Sequence, residues 1–462
     1  MSPRLLYLSP QASTNQPIHE NEEADTPAGA ARGGAGRLVQ RRRRGWCHPD
    51  AADPRRRWPR TDPAPAAASH GAAQQRRAAR LLSASGSSSS PAGATAVPGK
   101  GQATEAEYLI SFGIGTPPQA VQPTLDTGSD LVWTQCQPCP SCYAQSLPYY
   151  DPRLSATSAY LPCDGPACRQ LDLSSCGARD WGNGTCVYTY SYGDRSSTNG
   201  LLGADKFTFD SGDDTVTAVP GLTFGCGWYN NNGAASSNAT GTGVAGFGRG
   251  ALSLPSQLKV DNFSYCFTDV TGSTPSPVLL GLPANLYGGA AVQTTPLIQS
   301  PGAVSTFYYL SLRSITVGST RLPVPESAFA LARNGSGGTI IDSGTSVTLL
   351  PPLVYGLLHD AFVAQVDLPV TTDEPLCFAV SGKKKHEVPK LSFHFEGATL
   401  DLPRENYVYE IEDGGQSNMC IAALSSDGGM TIIGNYQQQN LHVLYDLAGN
   451  KLSFVPAHCD KV

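Results

Sequence analysis

The sequence predicts an all-β protein built of two lobes related by duplication, with a few short helices. Three observations predict it. The 462 residues include 49 glycines and 36 prolines with only 15% charged residues, which suits many short strands and tight turns better than a helical bundle. Short β-like runs punctuated by turn signals recur from about residue 105 to the end. One five-residue motif also occurs twice, as Leu125-Asp126-Thr127-Gly128-Ser129 and as Ile341-Asp342-Ser343-Gly344-Thr345.

The chain is long enough for one large bilobal body. Residues 1–100 hold 15 basic and 7 acidic residues, a net charge of +8; the remainder holds 17 basic and 31 acidic, a net charge of −14. A body this acidic argues against nucleic acid as the main partner, because backbone phosphates demand clustered positive charge. No run approaches the ~20 apolar residues that a membrane span needs. Residues 1–104 lack periodicity and read as a disordered or prosegment-like region. Within it, 26–100 are rich in Ala, Arg, Ser and Pro, like a transit-type segment, and Arg41–Arg44 read as a solvated run. The start offers only Leu5–Leu8 before a proline, short of the ~7–15 apolar residues of a secretory signal.

The cysteines point to an oxidising compartment. Of thirteen, Cys47 stands alone near the start and the other twelve lie in the body, an even number that reads as a disulfide framework. Cys136-x-x-Cys139-x-x-Cys142 has metal-like spacing. The second knuckle that a zinc site wants is missing, however, and no His lies between residues 71 and 358, so no metal is expected. Four glycosylation sequons, at Asn183, Asn238, Asn262 and Asn334, agree with secretion. The expectation is a secreted (apoplastic) or vacuolar glycoprotein, monomeric, with the plastid as the alternative that the transit-like start raises.

Along the body, Glu107–Gly115 alternates like a strand before Thr116-Pro117-Pro118 forces a turn. Further strand-like runs are Val187–Tyr192, Lys206–Phe209, Leu222–Gly225, Thr306–Val317, Thr339–Ile341, Lys390–Phe395, Thr431–Ile433 and Leu441–Tyr445. One helix is expected after Pro351-Pro352, where Leu353, Val354, Leu357, Leu358, Phe362 and Val363 fall at helical spacing. The two lobes are placed at 105–285 and 286–462.

The repeated motif carries chemistry. An apolar residue ends a buried strand, the Asp projects at its tip, and Gly128 or Gly344 lets the backbone turn beside it. Ser129 and Thr345 can hold the carboxylate in plane. Two such loops related by a two-fold axis bring Asp126 and Asp342 together. Like charges that close cannot both ionise, so the pair shares a proton, one member serving as base and the other as acid toward an attacking water. No metal, cofactor or covalent intermediate is required.

At this point the sequence resembles the pepsin-like aspartic endopeptidases, and more narrowly their nepenthesin-like branch, over roughly residues 105–462. Tyr108–Gln119 looks like that family's first strand and turn. Trp133, seven residues after Asp126, stands where the family has the tryptophan that bonds its flap tyrosine. Tyr188–Phe207 resembles the flap hairpin, making Tyr192 the flap tyrosine with Gly193 beside it. Gly243–Gly250 and Thr431–Asn440 look like the elements bracing the two catalytic loops. The Cys-rich insertion between Asp126 and the flap points to the nepenthesin-like branch.

The resemblance implies a bilobal pepsin-like fold, acid endopeptidase activity on polypeptides with bulky apolar side chains beside the cut, and bridges Cys377–Cys420 and Cys266–Cys459. It leaves the connectivity of the other cysteines open. Arg76–Ser90 resembles the end of a family prosegment, which implies a zymogen. The flap departs from the branch pattern at Arg195, where a glycine is usual. If that position has φ > 0, the arginine costs ~1 kcal/mol or more.

The competing reading is a catalytically inactive pepsin-like binding protein or glycosidase inhibitor on the same fold; intact Asp-Thr-Gly and Asp-Ser-Gly motifs argue against it. Gly241–Gly246 spells a dinucleotide fingerprint but follows a loop rather than a strand, so no cofactor is assigned to it. His394 and His442 read as packing residues, Tyr188 and Tyr190 as hairpin packing, and Lys383–Lys385 as a solvated loop.

Overall fold

Seven strands drawn from both halves of the chain form one antiparallel sheet. Their order is Tyr108–Ile114, Ala92–Pro98, Ser276–Leu280, Asn262–Cys266, Leu441–Asp446, Lys451–Pro456 and Gln293–Ile298. The structure, a computed structural model, describes residues 92–98, 107–178, 183–210, 216–233, 241–281, 292–302, 306–381, 385–413 and 415–461. All of these lie in the compact unit that includes Ala68–Val462. The expectations for Cys47, Arg41–Arg44, Asn238, Lys383 and Lys384 fall outside the described residues.

Aromatic side chains hold this sheet together. Tyr108 stacks on Phe267 with centroids 3.9 Å apart, Tyr265 on Phe267 at 4.1 Å and Phe263 on Tyr445 at 4.4 Å. Each such pair contributes ~0.5–1.5 kcal/mol beyond its buried area.

Ala92–Pro98 corrects the expected boundary. Composition alone places residues before 105 outside the body, yet this strand lies between Tyr108–Ile114 and Ser276–Leu280, with Ala94 and Ala96 buried. Its Ala-Gly-Ala-Thr-Ala pattern is too small in side chain to register as apolar alternation. The slot between two flanking ladders selects it, as tertiary context commonly does for strands.

The duplication is visible in strand pairing. Thr124–Asp126 runs parallel to Gly243–Gly246, and Thr339–Ile341 runs parallel to Thr431–Ile433. Trp133–Gln135 is antiparallel to Gly243–Gly246 and parallel to Val216–Asn231; Thr348–Leu350 is antiparallel to Thr431–Ile433 and parallel to Ala423–Ser425. The second lobe adds two four-stranded sheets and the helix Pro352–Val363, whose buried face is Val354, Tyr355, Leu358, Ala361 and Phe362. A shorter helix, Leu254–Leu258, capped by Ser253, was not anticipated. The architecture is all-β and bilobal, as expected.

All twelve body cysteines pair. The two bridges implied by resemblance, Cys377–Cys420 and Cys266–Cys459, are present. The open ones resolve as Cys136–Cys226, Cys139–Cys142, Cys163–Cys176 and Cys168–Cys186, so the metal-like Cys136/Cys139/Cys142 run is divided between two bridges.

Candidate active site

Each motif begins where a short buried strand ends. Leu125 and Ile341 are buried in the core and the next residue, Asp126 or Asp342, sits at the strand tip, each only 4% exposed. The two loops grip each other reciprocally. Ser343 N–H donates to Thr127 Oγ1 (2.9 Å) and Thr127 N–H to Ser343 Oγ (3.1 Å), while Ser343 Oγ donates to Leu125 O (2.8 Å). Neither Thr127 nor Ser343 is among the site residues expected from sequence. The signal was there, a small hydroxyl at the same place in both copies.

That grip brings the carboxylates into hydrogen-bond contact. The glycines make room for the approach: a Cβ on Gly344 would lie 2.2 Å from Asp126 Oδ1, and one on Gly128 2.7 Å from Asp342 Oδ2. Each carboxylate is held in the same way. Gly128 N–H donates to Asp126 Oδ1 (2.8 Å) and Ser129 Oγ to Oδ2; Gly344 N–H donates to Asp342 Oδ1 (2.9 Å) and Thr345 Oγ1 to Oδ2 (2.6 Å).

The environment separates the two acids. Burial, and after it the field of Asp342, pushes the Asp126 carboxyl well above the usual carboxylate range. Burial also raises Asp342, but bonds from Thr345, Gly344 and Asp126 pull it back. Two buried carboxyls in contact cannot both ionise, so the pair shares a single proton, and Asp126 is the member raised further.

The loops are braced from behind. Phe247 N–H donates to Asp126 O (2.7 Å) and Gly248 N–H to Ser129 O (2.8 Å); in the second lobe Asn435 N–H donates to Thr345 O (2.8 Å). Gln438 and Asn435, both buried and both within the Thr431–Asn440 segment expected to brace the loop, donate their side-chain amides to Asp342 O (3.2 Å) and Ser343 O (3.0 Å).

A hairpin, Cys186–Ser191 with Ser197–Asp210, carries Tyr192 at its tip. Trp133 Nε1–H donates to its hydroxyl (2.7 Å). The tip turns through Gly193 and Asp194, with Arg195 N–H donating to Tyr192 O (3.1 Å). Tyr192, Trp133 and Asp126 line one cavity of about 70 Å³ together with Thr124, Val244, Gly241 and Gly243. Glu107, Asp194 and Asn231 add polar groups to its wall. Gly241 and Gly243 line this cavity, and Gly243–Gly246 is itself a strand. Arg195 is exposed at φ +69° and does not line the cavity, although its neighbours Asp194 and Ser196 do. His394 is bonded to Thr316 and Thr399, and His442 to Ser264.

Two family models match, one described as xylanase inhibitor N-terminal over residues 108–282 and one as xylanase inhibitor C-terminal over 307–456. The aspartic proteinase nepenthesin-1 of Nepenthes gracilis is 45% identical over 77% of this chain and 79% of its own length. The chain belongs to the nepenthesin-like, pepsin-like aspartic proteinases. Nepenthesin-2 of the same plant is 41% identical over 77% of this aspartic proteinase and 79% of its own length. Aspartyl protease family protein 2 of Arabidopsis thaliana is 42% identical over 76% and 71%. Among solved structures, edgp superposes with TM-score 0.64 at 20% identity, covering 81% of this chain and 97% of that one. The soybean basic 7S globulin does so at 0.62 and 18%, covering 80% and 97%; these two bear on the fold alone. Its named relatives are proteinases, and this protein is an aspartic endopeptidase acting on polypeptides.

Proposed function

We propose that Asp126 and Asp342 are the catalytic dyad and that the enzyme cuts extended polypeptides at acid pH. Ionised Asp342 takes a proton from a water that attacks the scissile carbonyl carbon, and protonated Asp126 gives its proton to the carbonyl oxygen. The resulting gem-diol collapses as Asp342, now protonated, gives its proton to the amide nitrogen, the C–N bond breaks and a gem-diol hydroxyl returns a proton to Asp126, leaving one proton on the pair. Gly128, Gly344, Ser129 and Thr345 keep the carboxylates coplanar; Tyr192, with Gly193 and Trp133, closes over substrate and excludes bulk water.

The observation that carries this reading is the reciprocal Thr127–Ser343 grip, because it holds two buried carboxylates in contact, one of which, Asp126, lines a cavity. Trp133, Tyr192 and Val244 give that cavity an apolar side, which supports a bulky apolar residue beside the cut. Six disulfides support an oxidising destination, secreted or vacuolar, and the exposed sequons Asn183 and Asn334 are the proposed glycan sites. The protein is proposed to be monomeric, with lobes at about 92–285 and 286–462, and to be made as a zymogen whose processing leaves Ala92–Pro98 in place.

The test is cleavage of haemoglobin or casein from pH 2 to 7, with and without pepstatin, by the full chain folded under oxidising conditions. Asp126→Asn and Asp342→Asn should each reduce turnover by at least ~10³-fold while leaving the circular dichroism unchanged. Turnover that survives either substitution would remove the dyad. A folded wild type without turnover that still captures a glycosidase would favour the inhibitor reading.

A further inference from the structure

A carboxylate that the hydrolytic chemistry does not use lies immediately beyond the first motif. Asp130 follows Ser129, and the turn Gly248-Arg249-Gly250 receives its side chain. Gly250 N–H donates to Oδ1 (2.7 Å), and a Cβ on Gly248 would lie 2.4 Å from Oδ1. The glycines of that turn are therefore explained by the carboxylate they admit.

The other oxygen crosses to the second lobe. Thr306 Oγ1 donates to Asp130 Oδ2 (2.7 Å), and Arg249 N–H donates to Thr306 O (3.0 Å). Thr306 lies three residues before Tyr309–Leu310, the strand paired with Thr339–Ile341, which leads into Asp342. On its opposite side Asp130 N–H donates to Tyr190 Oη (3.3 Å), and the Tyr190 ring sits 5.3 Å from that of Tyr192. The duplicated motif has Ser346 at the matching place, so the carboxylate belongs to the first copy alone.

We propose that Asp130 is a positioning residue for peptide hydrolysis: its side chain fixes the Asp126 loop against the Gly248–Gly250 turn and, through Thr306, against the second lobe, and so also fixes the backbone N–H that meets Tyr190 of the flap hairpin. The inference rests on the dyad reading. Burial raises the Asp130 carboxyl, yet each of its oxygens is held by a hydrogen bond, and reacting groups displaced by ~1 Å can lose ~10²-fold in rate. Loss of Asp130 should therefore lower the rate of the chemical step more than it weakens binding.

Asp130→Ala, Asp130→Asn, Thr306→Val and Thr306→Ser in the full chain are to be compared by kcat and KM on a quenched fluorescent peptide, well below each variant's Tm. Asp130→Ala and Thr306→Val should lower kcat roughly 10- to 100-fold with KM within about threefold. Asp130→Asn still accepts from Gly250 and can donate to Thr306, and Thr306→Ser keeps the hydroxyl, so both should return to within about threefold of wild type. The Asp130→Ala/Thr306→Val double variant should be no slower than the slower single. Unchanged kcat with only a lowered Tm, or losses that simply multiply in the double variant, would overturn the proposal. If Asp130→Ala does not fold, the Thr306→Val and Thr306→Ser pair decides. An inactive wild type would instead indict the dyad reading.

Discussion

Trp133 Nε1–H donates to the Tyr192 hydroxyl across 2.7 Å, and both side chains are buried. A residue seven places after Asp126 thus fixes the tip of the hairpin that walls the same cavity. Trp133→Phe strands a buried hydroxyl, a defect of ~1–3 kcal/mol. Part of it should appear as a roughly tenfold fall in kcat/KM. Tyr192→Phe removes the same bond from the other end, so the double variant should fall no further than the worse single. Steady-state kinetics on one peptide checks both, and multiplicative losses would mean that the two residues act separately.

The catalytic half of this geometry was legible because duplication wrote it twice. Thr339–Ile341 and Thr431–Ile433 were read with the bounds they have, since each is a short apolar run against a turn. The longest hairpin was not legible in full. Ser197–Asp210 and Val216–Asn231 contain Gly200, Gly203, Gly221, Gly225 and Gly227, which interrupt the alternation that marked only Lys206–Phe209 and Leu222–Gly225. Asp130 was invisible for another reason: an Asp after Ser129 looks like an ordinary turn residue until Thr306 is brought up from 176 positions away.

The strand Ala92–Pro98 decides where a shortened protein can start. A chain beginning at Gly101 would leave the Tyr108–Ile114 and Ser276–Leu280 ladders unpaired on facing edges, each lost bond worth ~0.5–1.5 kcal/mol. It should unfold at a clearly lower temperature than one beginning at Pro91, and aggregate. Calorimetry and size-exclusion of the two chains check this. Equal Tm values would mean that the strand is dispensable.

Arg195 at φ +69° carries the left-handed penalty of ~1–2 kcal/mol for a residue with a Cβ. Arg195→Gly removes it but loosens the unfolded chain, which offsets ~0.4–1 kcal/mol. A net gain of roughly 0.5 kcal/mol is expected in denaturant melts. Because the exposed guanidinium does not line the cavity, kcat/KM on apolar peptides should be unchanged. A shift confined to acidic peptides would show that Arg195 reads substrate charge.

His442 works against stability in acid. It is buried in the strand opposite Cys266, bonded to Ser264 Oγ (3.1 Å), and burial lowers its pKa below the usual 6.5. The unfolded chain therefore binds the proton first, and stability declines as pH falls below the unfolded value. His442→Gln keeps a polar partner for Ser264 without that titration. The difference in Tm between variant and wild type should shift in the variant's favour between pH 7 and pH 4. A difference independent of pH would exclude this proton linkage.

The dyad should set the alkaline side of the activity profile. Hydrolysis needs one proton on the pair. Asp126 is the member raised further, by burial and by Asp342, so the singly protonated form persists above the usual carboxylate range as pH rises. Activity should then be lost when that shared proton leaves, and regained at low pH until the second carboxylate is also protonated. Thr345→Val removes the Oγ1 bond that holds Asp342 down, so the ionised base becomes harder to maintain. Its acid limb should move to higher pH, narrowing the profile from below, while Ser129→Ala, which unburdens Asp126 of a bond favouring its charged form, should push the alkaline limb upward. Profiles of kcat/KM for the two variants check the assignment. Shifts in the opposite pair of limbs would place the resting proton on Asp342 instead.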